Sequence, residues 1–259
     1  MSDSSQRVHT PTPYAFIASK HTGVIALSIE KYADKYYFDP YDPYHKTAYL
    51  SWAYLIRKSV CDELDIETNE FDVGYRISPT TKLPEVYIVE RADNGAGYCN
   101  YLNGKTDREI SKKVFIDSLK PGEKGVYANV LMLPDHEQHC SSSCYDCILD
   151  YYNQQHHGSL NWRIALDLVA LSDNPNAELD FSQPYWNTYI HETLLTSLEK
   201  KLKGRRLIQS SDIIIETNNK KYLLTHPFWK ALFHPKLIDA STKGLIPLNI
   251  IDAIVKTRF

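Results

Sequence analysis

The chain is predicted to be an α+β protein. It would have a small mixed β-sheet flanked by helices, a cysteine knuckle near its middle, and a small C-terminal α/β appendage. Three observations predict this. Short β-branched runs sit beside longer stretches with a 3.6-residue apolar period. Proline- and glycine-bearing breaks separate them, and Ser172 to Asn176 (SDNPN) is the best candidate boundary. Three of the five cysteines fall within eight residues, at Cys140, Cys144 and Cys147. The two units are expected over residues 14–172 and 173–259.

Met1 to Thr10 is polar and is followed by Pro11 and Pro13, so the packed chain is expected to begin after them. Val24 to Glu30 (VIALSIE) is short and β-branched, which predicts a strand. Tyr36 to Tyr44 carries Asp39-Pro40 and Asp42-Pro43, and residues before proline are pushed out of the helical region, so this is a loop. Thr47 is expected to cap a helix whose apolar face is Leu50, Ala53, Tyr54, the stem of Arg57, Cys61 and Leu64. Phe71 to Ile77 and Glu85 to Glu90 read as strands joined through Pro79 and Pro84. Asp93 to Gly97 is a tight turn whose glycines permit positive φ. Asp107 to Leu119 places Ile110, Val114, Phe115 and Leu119 on one helical face, and Pro121-Gly122 ends it.

Leu160 to Leu171 predicts a helix with a stripe of Leu160, Ile164, Leu168 and Leu171. Tyr185 to Lys203 reads as another, with Gly204 as its C-cap. Asp212 to Glu216 and Lys221 to Thr225 flank Asn218-Asn219 as a hairpin, and a short helix is expected after Pro247. There is no internal repeat and no heptad.

A hydrophobic content of 43% is enough for a buried core. The net charge of −3 excludes a molecule that is basic all over, although it leaves room for a local basic patch. No run approaches the roughly 18 apolar residues of a membrane span, and no secretory signal is visible, so the expected location is the cytoplasm. Cysteines stay reduced there, which makes a tight cluster a metal or redox site rather than a disulfide framework. The nineteen tyrosines read as amphipathic packing, with a stacking or partner-binding surface as the alternative.

Cys144 and Cys147 form a C-x2-C thiolate clamp suited to a tetrahedral ion, and Cys140 adds a third thiolate. Zn²⁺ is the expected metal. The fourth ligand is left between His136 and His139 just upstream, with His156 and His157 as further options. Four protein ligands leave no position for an activated water, so such a site would hold shape rather than do chemistry. A redox C-x-x-C is disfavoured by the third cysteine.

The run Cys144-Tyr-Asp-Cys147, then Tyr151, Asn153-Gln154, His156-His157 and Leu160-Asn-Trp-Arg163, resembles the signature of the DUF1998 family, the MrfA-type zinc-binding domain. Upstream, Val86 to Asn100 with its Asn94-Gly95-Ala96-Gly97-Tyr98 turn is similar to that family's strand and glycine turn. Thr22 to Ile29 is similar to its opening strand. The resemblance covers residues 20–172. It implies a zinc-binding domain fused to, or partnered with, a superfamily 2 DNA helicase, in DNA repair or in antiphage systems of the DISARM and Druantia kind. Family members hold zinc with four cysteines. Here Gln138 stands where the first would be, so either a nearby histidine replaces it or the metal is lost.

No G-x-x-x-x-G-K-[ST] phosphate loop is present, so the resemblance implies that the motor is a DNA helicase encoded separately, with this chain expected to be its accessory subunit. On this reading there is no membrane partner and no small-molecule substrate. Tyr151, Asn153 and Gln154 are expected to brace the turn after the knuckle. Arg163 and the basic run Lys200, Lys201, Arg205 and Arg206 are the candidate DNA phosphate contacts. The run's simpler reading is a solvated helix C-terminus.

Two rival classes remain. One is a metal-dependent nuclease subunit built on Asp212, Glu216 and Lys220, although the acid-x-lysine spacing is missing. The other is an assembly scaffold that never touches DNA. Serine hydrolase chemistry has no G-x-S-x-G support. The Asn94-to-Gly97 turn could cradle a phosphate through its backbone N–H groups, against the plainer reading of a tight turn.

Overall fold

The computed structural model describes residues 19–103, 108–209 and 212–258. The polar start at Met1 to Thr10 and the helix start at Asp107 lie outside them. The architecture is α+β, with two small sheets flanked by helices. Among the described residues no helix is long and apolar enough to cross a membrane.

The first sheet is antiparallel, in the order β1-β3-β2, from β1 (Val24–Ser28), β2 (Phe71–Ile77) and β3 (Pro84–Glu90). Gly74 faces Tyr87 across the β2–β3 ladder, and a side chain there would collide with the Tyr87 ring. Helix α1 (Pro43–Leu64) packs on this sheet. Its cap is Asp42, not Thr47. The Asp42 carboxylate accepts from the N–H groups of Tyr44 and His45 at 2.7 and 3.3 Å, and Pro43 takes the first helical position. Asp-Pro therefore starts a helix here, because proline's fixed φ and missing N–H cost nothing in a first turn.

Four short helices follow: α2 (Tyr98–Leu102), α3 (Arg108–Phe115), α4 (Val126–Leu131) and α5 (Pro134–His139). A 3₁₀ turn, Asp117–Leu119, completes the stretch expected to be one helix. Helix α6 (Trp162–Asp173) is capped by Asn161, whose side chain accepts from the N–H groups of Arg163 and Ile164. It lies against α1 and is buried over most of its surface.

The expected Tyr185-to-Lys203 helix comprises α7 (Pro184–Thr188), a π-helical stretch (Tyr189–Leu194) and α8 (Leu195–Leu202). Lys203, at φ 50°, takes the left-handed position assigned to Gly204. Gly204 is needed for space instead, since a Cβ there would sit 2.7 Å from the Glu216 carbonyl oxygen.

Arg205 and Arg206 then open a strand, β4 (Arg205–Gln209), rather than ending a helix. The other strands of this sheet are β5 (Asp212–Glu216), β6 (Lys221–Thr225) and β7 (Ile246–Asn249), in the order β4-β5-β6-β7. β6 and β7 are parallel and joined through α9 (Pro235–Thr242), so the mixed sheet is this second one. Pro247 is accommodated because β7 is an edge strand. Helix α10 (Ile250–Arg258) ends the described chain.

The boundary expected at 172/173 falls at the end of α6. Buried apolar side chains on both sides of it share one core, from Ile29 to Ile254. The backbone is tied across it as well: Tyr37 N–H donates to Phe228 O at 3.1 Å and Lys230 N–H to Lys35 O at 2.9 Å.

Candidate metal centre

Helix α5 and the turn after it build the site. Pro134 starts α5, and Cys140 ends it as the C-cap, its N–H bonded to the His136 carbonyl at 2.9 Å. His136 and Cys140 are four residues apart and so share a helix face. The chain then turns through three serines. Cys147 N–H donates to Cys144 O at 3.2 Å, and Cys144 N–H points at Cys147 Sγ at 3.0 Å. That local turn brings two sulfur atoms to one side.

His136, Cys140, Cys144 and Cys147 form a group that can hold a metal ion, with ligand atoms all within 4.8 Å of one another. The Cys147 sulfur is 3.7 Å from that of Cys140 and 3.6 Å from that of Cys144, and Cys144 Sγ is 3.4 Å from His136 Nε2. A tetrahedral zinc with Zn–S near 2.3 Å requires S···S edges of about 3.8 Å and S···N edges of about 3.6 Å. The donor set and its spacing therefore fit zinc. His136 Nδ1 lies 2.7 Å from the Leu131 carbonyl, which places the ring proton on Nδ1 and frees Nε2 as a ligand.

His139 stands apart. Its Nδ1 contacts the Asp135 carbonyl at 2.8 Å and the ring is exposed. His157 is held by Asp150 O and Asn153 Oδ1 at 2.9 and 2.8 Å, and His156 packs near Tyr54. The sequence left His136 and His139 open; the i, i+4 relation of His136 to Cys140, with Pro134 as a helix start, is the signal that could have separated them.

Cys140 and Cys147 are buried, while Cys144 and His136 are half-buried. The last two border a surface cleft of about 370 Å³ lined by Val130, Leu133 and Asp146, which gives an ion a way in. The Cys140 sulfur and burial push the Cys147 thiol well up, and burial followed by Cys147 pushes the Cys144 thiol up. Crowded thiolates repel one another in a dry site, and a divalent cation reverses that preference.

Arg163 does not reach solvent and is no phosphate contact. Its side chain is 0% exposed, and its donors go to backbone carbonyls of Tyr185, Cys140 and Ser141. Burial pulls it down to about 10, so it stays cationic at neutral pH. Of the residues expected to brace the turn, only Asn153 does so. It donates to Ile148 O at 2.7 Å and forms a capping box with Asp150, itself ion-paired with Arg57. Tyr151 and Gln154 point into solvent.

The basic run is divided by the fold. Lys200 and Lys201 are exposed in the last turn of α8. Arg205 is exposed but reaches Glu216 at 2.5 Å. Arg206 is occupied by Glu199 at 2.6 Å and by His191 O at 3.1 Å. The C-terminal acids face cations rather than one another: Asp212 meets Lys236 at 3.3 Å, and Glu216 meets Arg205 and Lys221.

The Asn94-to-Gly97 turn is an anion cradle, but its anion is internal. Glu90, 1% exposed, accepts from the N–H groups of Ala96, of Gly97 at 2.9 Å and of Cys99 at 2.7 Å. Burial alone would raise this carboxyl, yet the three N–H bonds hold it below the usual range.

Asp167 is the buried polar residue that pattern reading passed over. It accepts from Tyr185 O–H at 2.8 Å, Trp186 Nε1–H at 2.9 Å and His226 Nε2 at 3.0 Å. It sits on the buried helix α6, three residues after Ile164 and four before Leu171, so its place within the apolar stripe was the sequence signal that could have found it.

No family model, curated protein or solved structure matches the chain.

Proposed function

We propose that this chain is a zinc-stabilised, non-catalytic accessory subunit of a separately encoded superfamily 2 DNA helicase. It would dock on the motor and help to form the nucleic-acid path, in antiphage defence or DNA repair. The observation that carries this reading is the closed Cys3His set within the segment that resembles the DUF1998 family. His136 stands in for the family's first cysteine, which is the substitution that its absence at Gln138 required.

Bound zinc would supply a fixed tetrahedral cross-link between α5 and the knuckle turn. All four positions are filled by protein, so its contribution is shape. Lys200 and Lys201, exposed and adjacent, are the remaining candidates for phosphate contact.

Metal analysis of the purified chain, combined with a binding assay against a superfamily 2 helicase, tests this reading. One tightly bound zinc per chain and a stable complex are expected. A chain with neither metal nor motor refutes it. Within the complex, replacing Lys200 and Lys201 by glutamate should weaken DNA binding and flatten its salt dependence by roughly one unit per lost phosphate contact. Unchanged slopes would remove these lysines from the nucleic-acid path.

A further inference from the structure

The metal centre holds more negative charge than its ion cancels. Three thiolates and one divalent cation leave a net charge of about −1. Cys140 and Cys147 are 1% and 3% exposed, so much of that charge lies away from water. A charge so placed needs an opposite charge built in nearby.

Arg163 is positioned to supply it. Its Nη1 donates to the carbonyls of Cys140 and Ser141 at 3.3 and 3.0 Å, where α5 ends and the knuckle turn begins. Nε donates to Tyr185 O at 2.6 Å. The guanidinium lies over both the Trp162 and the Tyr189 ring, 4.2 Å from each centroid. Trp162 in turn packs against the His136 ring at 5.5 Å. The neighbouring acid is Glu137, 3.9 Å from Nη2 and next in sequence to the ligand His136.

We propose that Arg163 is the positioning residue and counter-charge of the metal centre, so that metal affinity depends on it while Glu137 opposes it. The proposal rests on the reading of His136, Cys140, Cys144 and Cys147 as a metal site. Two effects combine. The guanidinium fork fixes the backbone that carries the Cys140 sulfur, and its charge offsets the excess of the loaded site. Glu137 cancels part of that charge, so neutralising it should act in the opposite sense.

The test is the Zn²⁺ affinity of the full chain, measured by competition with a chelator at fixed pH and ionic strength. Arg163→Met should weaken binding by about 10- to 100-fold, the range for residues that orient metal ligands. Arg163→Lys, which keeps the charge but loses the planar fork, should recover part of the loss. Glu137→Gln should tighten binding. A purely structural role for Arg163, carried by its planar fork, predicts that Arg163→Lys recovers none of the loss. Melting curves at saturating zinc report folding separately, and if Arg163→Met does not fold, Glu137→Gln decides the matter. Parental affinity in both variants overturns the proposal and leaves the metal site standing. A parent chain that binds no zinc removes the site itself, and the proposal with it.

Discussion

Replacing Asp167 by alanine should be among the most damaging single changes in the chain. The Asp167 carboxylate terminates three hydrogen bonds, from Tyr185, Trp186 and His226, whose side chains all lie in the core. The His226 tautomer is set by its surroundings. Nδ1 accepts from Phe228 N–H at 3.3 Å, so Nε2 carries the proton that faces Asp167. Alanine would leave the three donors without an acceptor. Each buried orphan costs about 1–3 kcal/mol, and water entering the small cavity offsets some of that, so the expected loss is about 3–5 kcal/mol. For a chain of this size that is a fall in melting temperature of roughly 5–9 °C. Asp167→Asn should cost less. Its amide nitrogen can face the Tyr185 hydroxyl, which turns to accept, while its oxygen keeps Trp186 and His226. Thermal and urea denaturation followed by tryptophan fluorescence measures both variants, with Trp186 itself reporting on the network. A melting temperature for Asp167→Ala within about 1 °C of the parent, or an asparagine variant weaker than alanine, would refute the reasoning.

Three further outcomes are expected. Chelation should lower the melting temperature of the parent chain, by the equivalent of about 4 kcal/mol relative to free zinc at 1,000 times its dissociation constant, whereas Cys147→Ser should be insensitive to chelator; equal sensitivity would count against the cluster as the metal site. His234 is held down to about 4 by burial, with Lys35 and Lys236 adding to the effect. The unfolded chain therefore takes up a proton near pH 6.5 that the folded chain refuses, and stability should fall by about 3 kcal/mol between pH 6.5 and pH 4; His234→Phe should be flatter over that window, and identical pH profiles would contradict it. Glu90→Ala leaves three N–H groups of the glycine turn without their acceptor, for a cost of about 2–4 kcal/mol, and amide exchange at Ala96 to Cys99 should accelerate.

Much of the local structure was legible in the sequence. The first three strands, α1, α6 and the hairpin of β5 and β6 follow from apolar periodicity and turn residues, because those signals act within a few positions. The three sulfur atoms of the candidate metal site were legible for the same reason, since eight residues cannot carry them far apart. The strands β4 and β7 were not. One is opened by two arginines and the other contains a proline, and each is a strand because it sits on an edge of the second sheet.

Arg163 and Asp167 show what local pattern leaves undecided. Both are charged residues on a helix with an apolar stripe, and from sequence one read as a phosphate contact while the other drew no attention. Packing decided their roles, since α6 is enclosed by partners that arrive from distant parts of the chain. Tyr185 and His226 lie 18 and 59 residues from Asp167, and Cys140 lies 23 from Arg163. Sequence determined which ligands could gather around an ion, because their spacing is short. Tertiary structure alone decided which partners the charges of α6 meet, because those partners come from parts of the chain far away in sequence.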